Sequence, residues 1–296
     1  MITGKVLKAI ARWTVPWAIY ERAGRLKCEK AESTRFTDEE RQLLARNAEL
    51  SNRHAGQRCF ILATGPSIKN QNLTLLKGEL CIGVSNFFVH QDCELIQPQY
   101  YCVAPYHAPI SEEGWYAFLR ELGSVVKNSA IFFELQDRER NQEGGFLKDK
   151  DLRYVKFGVE INALEKEGVD LTREILRPIS VTVMALQVAI YMGCRKVYLL
   201  GCDHDWILHV GKMAHFYDEQ QNALVRSGYN EWKESDMATE FYNAFQLWAQ
   251  YKAIKKYAEE KGIRIFNSTE GGLLDVFPKV SLESVLRDSS VVNEFA

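Results

Sequence analysis

The sequence predicts an α/β protein built on a Rossmann-like, mostly parallel sheet with helices on both faces. Three observations predict it. Short apolar runs recur at residues 58–63, 80–84, 100–103, 130–135, 197–200 and 263–266. A run apolar at nearly every position suits a strand covered on both faces, as strands of parallel sheets are. Helical patterns over residues 111–122, 181–192 and 239–261 lie between several of these runs, supplying the crossovers that parallel neighbours need. The first run ends in Thr64-Gly65-Pro66-Ser67, a turn at the strand end where open α/β sheets bind ligands.

Composition fits this class. The 296 residues are 46% hydrophobic and 26% charged, enough to bury a sizeable core. One main domain is expected over residues 36–296, preceded by a basic segment, 1–35. A formal net charge of −2 gives no general attraction to nucleic acid. Seven cysteines are scattered without a CxxC pair, which disfavours a disulfide framework and zinc fingers and points to a reducing, cytoplasmic compartment.

No stretch approaches the roughly 20 apolar residues of a spanning helix. Within residues 1–27, Ile2, Val6, Ile10, Trp13, Trp17 and Tyr20 recur at steps of three and four among Lys5, Lys8, Arg12, Arg22, Arg25 and Lys27. This pattern predicts an N-terminal amphipathic helix with two open readings. It lies peripherally on an anionic membrane, at the inner face of the cell membrane, or packs its stripe on the domain or on a second subunit of a homo-oligomer.

Further along, Thr37-Asp38-Glu39-Glu40 reads as a helix cap with an acidic first turn, opening a surface helix over 36–55. Residues 137–151, charged and with a Gly-Gly pair, read as an exposed connection. Residues 204–236 are irregular and long enough to read as a functional lid.

Three constellations carry chemistry. In the first turn, Gly65 permits close approach to the backbone, Pro66 fixes the turn, and Ser67 can cap the next segment while N–H groups meet a phosphate. No G-x-G-x-x-G or Walker A pattern is present here, so a nicotinamide enzyme and a P-loop NTPase are disfavoured. In the second, the strand before Gly201-Cys202-Asp203-His204-Asp205 ends in titratable groups. Asp203 is placed to accept from a sugar or ribose hydroxyl, and His204 to serve in acid–base chemistry. Asp203 and Asp205 also form a D-x-D pair of the kind that holds Mg²⁺ or Mn²⁺. The third is Lys212-Met213-Ala214-His215-Phe216-Tyr217-Asp218, where His215 is a candidate base and Tyr217 a hydrogen-bond donor to phosphate; His209 competes for the base role. His54, His90 and His107 read as structural or surface groups.

Taken together, residues 60–67, 82–88 and 180–203 resemble, in order and spacing, the small bacterial sialyltransferases of glycosyltransferase family 42. They also resemble a related motility-associated group classed with archaeal hydroxymethylpterin pyrophosphokinases. The resemblance covers about residues 58–218 and implies a GT-A-variant fold that transfers sialic acid from CMP-sialic acid without a metal or other cofactor. The family's Gly-Asn-Gly-Pro-Ser turn maps onto residues 63–67, with Thr64 where the family has asparagine. Asn86 matches its second asparagine, Ser180 or Thr182 falls near its nucleotide-contacting serine, and Gly201 closes the strand before Asp203. By position, Tyr217 and His215 match the lid tyrosine and base. Residues 265–278 resemble the ending of surface-polysaccharide proteins of this broader group, and Asn267 or Ser268 could reach the ligand edge there.

The expectation is therefore a nucleotide-sugar-dependent transferase, with a nucleotide-sugar donor and a bacterial surface glycan as partners. Two rivals stand beside it: a pterin pyrophosphokinase using ATP and Mg²⁺, and a non-catalytic, membrane-attached nucleotide-binding protein.

Overall fold

The computed structural model describes residues 36–209, 215–229 and 236–287. The basic segment 1–27, with its membrane and subunit readings, lies outside them, as do Lys212, Met213 and Ala214. Compactness divides the chain into Met1–Leu43 and Leu44–Ala296. In the first unit, Thr37 Oγ1 accepts from the Glu40 N–H at 3.2 Å and a Glu40 carboxylate oxygen accepts from the Thr37 N–H at 2.8 Å. This reciprocal capping box starts helix α1, Asp38–Ala45. The helix expected to reach residue 55 gives way to a 3₁₀ turn over Arg46–Leu50.

The second unit holds one eight-stranded sheet: β1 (Arg58–Leu62), β2 (Cys81–Val84), β3 (Tyr100–Cys102), β4 (Ala130–Glu134), β5 (Asp151–Val159), β6 (Glu174–Leu176), β7 (Lys196–Leu200) and β8 (Arg264–Asn267). Their order is β6-β5-β4-β3-β2-β1-β7-β8, and every neighbouring pair is parallel. The fold is α/β and Rossmann-like. The other long helices are α2 (Glu112–Val125), α3 (Val181–Tyr191) and α4 (Met237–Glu260).

On one face, Ile61, Val84, Cys102, Phe132 and Leu199 join α3 and the inner side of α4 in a single core. Helix α3 is apolar nearly all round because it is sandwiched there. Its mid-helix polar residue, Gln187, is fully buried: its amide accepts from the Leu176 N–H at 2.9 Å and donates to the Leu176 carbonyl at 3.0 Å. On the other face Phe60, Tyr198 and Phe266 stack across β1, β7 and β8 at 5.2 Å spacing. Farther along that face the Tyr101 hydroxyl bonds the backbone at Phe88, whose ring meets Phe118 of α2.

Strands β5 and β6 are absent from the expected set. In β5 the apolar run is broken by Arg153, bonded to Asp151 and Glu49, and by Lys156, bonded to Glu134 at 3.1 Å. Charged residues with partners interrupt the pattern without interrupting the strand. β6 is three residues long. The connection read as exposed over 137–151 is corrected in part: a short helix spans Arg138–Glu143, and Asp137 and Asn141 are buried. Asn141 accepts from the Trp115 indole at 3.1 Å. Among the described residues no helix is long and apolar enough to cross a membrane.

The tight fit of α3 sets a stability prediction. Leu186 is fully buried, so Leu186→Ala lowers unfolding free energy by about 2–5 kcal/mol, read from urea denaturation.

Candidate functional site

The chain lays β1 to β6 outward in one direction, then returns to the other side of β1 with β7. Adjacent strands β1 and β7 therefore send their following segments to opposite sides, which opens a crevice at their carboxyl ends. A cavity of about 590 Å³ occupies this switch point. Its wall includes Thr64, Gly65, Ser180, Thr182, Gly201, Asp203, His204 and His215. Pro66, Ser67, Asn86 and Tyr217 are not among the lining residues.

Asp203 ties the two strand ends together. Its Oδ1 accepts from the Ser67 N–H at 3.2 Å and its Oδ2 from the Ser67 hydroxyl at 2.9 Å. Gly65 has an ordinary negative φ. What it lacks is room: a Cβ would overlap Asp203 Oδ2 and the Gly201 carbonyl oxygen. The close approach at Gly65 thus belongs to the protein's own carboxylate, and the Ser67 N–H is bonded to that carboxylate. Burial pushes the Asp203 carboxyl above its ordinary range, against the lowering effect of Ser67. From the far side, Gly272 (φ +69°) crosses so close to the Asp203 backbone that no side chain fits, and the Leu273 N–H donates to the Asp203 carbonyl at 2.7 Å. Asn267 is buried in the same turn, donating to the Leu274 carbonyl at 2.8 Å and accepting from the Thr269 N–H. Ser268 is buried beside it, its carbonyl accepting from Gln71.

Past Asp203 the backbone turns left-handed at His204 (φ 48°), and Ser85 after β2 does the same (φ 46°). Both residues line the cavity. Such conformations cost a non-glycine residue on the order of 1 kcal/mol and cluster where a side chain must be aimed. The imidazole Nε2 of His204 lies 2.7 Å from the buried Tyr251 hydroxyl, with Trp206 and Trp248 edge-on to the ring. Burial pulls its pKa down to about 4, so the ring is neutral at pH 7. Ser180 is the N-cap of α3, and its Oγ accepts from the Thr182 N–H. The positive end of an eleven-residue helix thereby forms one cavity wall.

Of residues 215–217, His215 lines the same cavity. The Phe216 N–H donates to the Thr64 carbonyl at 3.0 Å, and His215 Nδ1 sits 3.3 Å from Thr64 Oγ1. The His215 ring stacks on Tyr217 at 4.9 Å, and the Tyr217 hydroxyl accepts from the Asn86 amide at 3.1 Å. Thr64, Asn86, His215 and Tyr217, distant in sequence, form one connected cluster. Burial lowers the His215 pKa, opposed by its bond to Thr64. His209, the competing base, is exposed and lies 3.9 Å from Asp205. His90 is buried, accepting from the Asp92 N–H, and His54 bonds Tyr100 and Gln57.

Sequence reasoning missed Glu240 and Asn243 of α4, which also line the cavity. Glu240 is buried and accepts from the Trp206 indole at 2.8 Å. A carboxylate in the first turn of a helical pattern carries no mark of its partner, so only the fold identifies it. Among the described residues no group of three or more His, Cys, Asp or Glu is arranged to hold a metal ion.

No protein-family model matches the chain, and no curated protein matches it. Among solved structures it is similar to the MAf glycosyltransferase from Magnetospirillum magneticum AMB-1, at 16% identity and a TM-score of 0.45. That alignment covers 78% of this chain and 34% of the other, so the chain spans about a third of that protein's length. It is also similar to the sialyltransferase CST-II in complex with a trisaccharide acceptor and CMP, at 15% identity and a TM-score of 0.47, covering 76% of this chain and 86% of that one. A substituted form of that sialyltransferase in complex with CMP aligns over the same shares, at 15% identity and a TM-score of 0.45.

Two stability measurements check this geometry. Gly65→Ala destabilises by about 1–3 kcal/mol through overpacking, and Asp203→Ala by about 1–3 kcal/mol through the unpaired Ser67 donors. The double variant loses less than the sum, because the first clash is partly with the group that the second removes; strict additivity in urea denaturation counts against the contact. For His204, the unfolded chain protonates near 6.5 and the folded one near 4. The unfolded state therefore binds more protons in that window, and stability falls as pH drops from about 6.5 to about 4. The raised carboxyls of Asp203 and Asp137 act in the opposite sense. Comparison with His204→Asn, which tolerates the left-handed backbone, isolates the histidine. Its urea midpoint falls less than that of the parent protein between pH 7 and pH 4.5.

Proposed function

We propose that this protein is a nucleotide-sugar-dependent glycosyltransferase whose donor binds in the switch-point cavity. The observation that carries the reading is the meeting of two groups in that cavity: the N-terminus of α3, capped by Ser180, and the His215 imidazole held by Thr64. A helix N-terminus is suited to a phosphate, and a neutral imidazole in the same cavity is suited to an acceptor hydroxyl. In this reading the donor phosphate lies at Ser180 and Thr182. His215 takes the proton from the acceptor hydroxyl, the hydroxyl oxygen bonds to the anomeric carbon, and the sugar–phosphate bond breaks with its electron pair leaving on the nucleotide. With Nδ1 held at Thr64, Nε2 is the nitrogen left for that proton.

Tyr217 and Asn86 act as positioning residues, the first by stacking on the base and the second by fixing the Tyr217 hydroxyl. Asp203 shapes the turn through Ser67, and His204 contributes a neutral, oriented ring. The scheme requires no metal, because the helix N-terminus meets the leaving charge. The resemblance of residues 60–67, 82–88 and 180–203 to family 42 favours a CMP-activated acidic sugar and a bacterial surface polysaccharide or glycolipid as product. It is compatible with work at the inner face of the membrane.

Thermal-shift measurements with CMP, UDP, GDP and ATP, each with and without Mg²⁺, test the donor site, since a ligand selective for the folded state raises Tm. Stabilisation by a pyrimidine nucleotide without metal supports the reading. Stabilisation by ATP alone, and only with Mg²⁺, points to the pyrophosphokinase class instead. His215→Ala lowers donor hydrolysis or transfer by about 10²–10⁴-fold while keeping the nucleotide shift; unchanged turnover removes the base assignment.

A further inference from the structure

A second cavity, of about 370 Å³, opens past the ends of β3 and β4 and along β5. Its size is inside the range of small-molecule sites, roughly 300–1,000 Å³. It is not independent of the first, because Pro178, Ile179 and Val181 line both. These residues belong to a strap that runs from β6 into α3 and is fixed by one buried side chain of α4. Gln250 accepts from the Ile179 N–H at 2.9 Å and donates to the Arg177 carbonyl at 2.7 Å.

The second cavity has its own chemistry. Glu134 is 2% exposed, yet it forms part of the wall. It accepts from Lys156 Nζ at 3.1 Å and from the Gln136 N–H, so this pair is self-neutralised. Arg177 is the cation left over: it lines the cavity, is exposed, and has no ion pair among the described residues. A guanidinium presents a planar fork of N–H donors that fits a carboxylate or phosphate. The Gln136 amide and the Lys156–Glu134 pair offer donors and acceptors to hydroxyls, and Phe157, Pro178 and Ile179 offer apolar surface to C–H groups. Hydroxyls around an apolar ring face, together with one negative charge, describe an acidic or phosphorylated sugar.

We propose that this cavity binds a saccharide carrying a carboxylate or phosphate, and that this saccharide is the acceptor. The acceptor role rests on the glycosyltransferase reading of the first cavity; the binding site does not. Arg177 and Ser180 are three residues apart, so their backbones lie within roughly 11 Å. Pro178, Ile179 and Val181 line both cavities, so an acceptor anchored at Arg177 lies beside the donor cavity.

The test is a thermal-shift titration of the full chain with glucuronate, glucose 6-phosphate or glucose at fixed ionic strength, with and without the stabilising nucleotide. At least one anionic sugar raises Tm, glucose does not, and the shift adds to that of the nucleotide. Arg177→Gln weakens the apparent affinity by about tenfold or more, and Arg177→Lys keeps part of it. A larger effect of glucuronate assigns the carboxylate, and a larger effect of glucose 6-phosphate assigns the phosphate. The site is overturned by no shift with either anion, by an equal shift with glucose, by competition with the nucleotide, or by unchanged binding in Arg177→Gln. Should an anionic sugar bind while no nucleotide does, the donor reading falls and the saccharide site stands. The converse result sinks the saccharide site alone.

Discussion

The contact between the Asp203 carboxylate and Ser67 organises the ligand edge of this sheet. One residue at the end of β7 receives both donors of a residue just beyond β1, fastening the two strands between which the topology reverses. Gly65 is required because the carboxylate fills the space of a side chain. Gly272 is required because the C-terminal turn crosses the same residue from outside. Two glycines and a serine, far apart in the chain, share one cause. A buried carboxylate is costly unless its lone pairs are met, and here the groups that meet them belong to the turn being fixed.

With those strand ends set, the functional groups arrive from separate elements. The left-handed step at His204 swings its ring onto the buried Tyr251 hydroxyl. The Thr64 carbonyl receives the Phe216 N–H and so draws His215 to the cavity. The cavity is framed by a helix start and a histidine that have no contact in sequence and one common reference, the turn after β1.

Much of this was legible in the sequence, and the reasons are local. Apolar runs marked β1, β2, β3, β4, β7 and β8 because burial on both faces demands nearly every position. β5 escaped because Arg153 and Lys156 carry their charges into the sheet with partners at Asp151, Glu49 and Glu134. Thr64 and His204 stand out in the sequence as polar groups at strand ends, His215 as a histidine in the irregular segment beyond, and Ser180 only through the resemblance carried by residues 180–203; all four line one cavity. The contact of Gly65 with Asp203 was not legible, since a glycine beside a ligand and a glycine beside an internal carboxylate look identical in one dimension. Glu240, Arg177 and Gln250 were missed for a related reason. Their importance comes from what crosses them in space, and an isolated Glu, Arg or Gln carries no pattern.

The strap between β6 and α3 is held by side-chain amides: Gln187 grips the backbone at Leu176, and Gln250 grips it at Arg177 and Ile179. Amides neither titrate nor carry net charge. The partition between the two cavities is consequently set by contacts that are indifferent to acidity and to dissolved salt, whereas the charged groups facing it are not. Any ionic-strength dependence of ligand affinity on either side reports the ligand's own charge contacts, with the partition serving as a fixed internal reference.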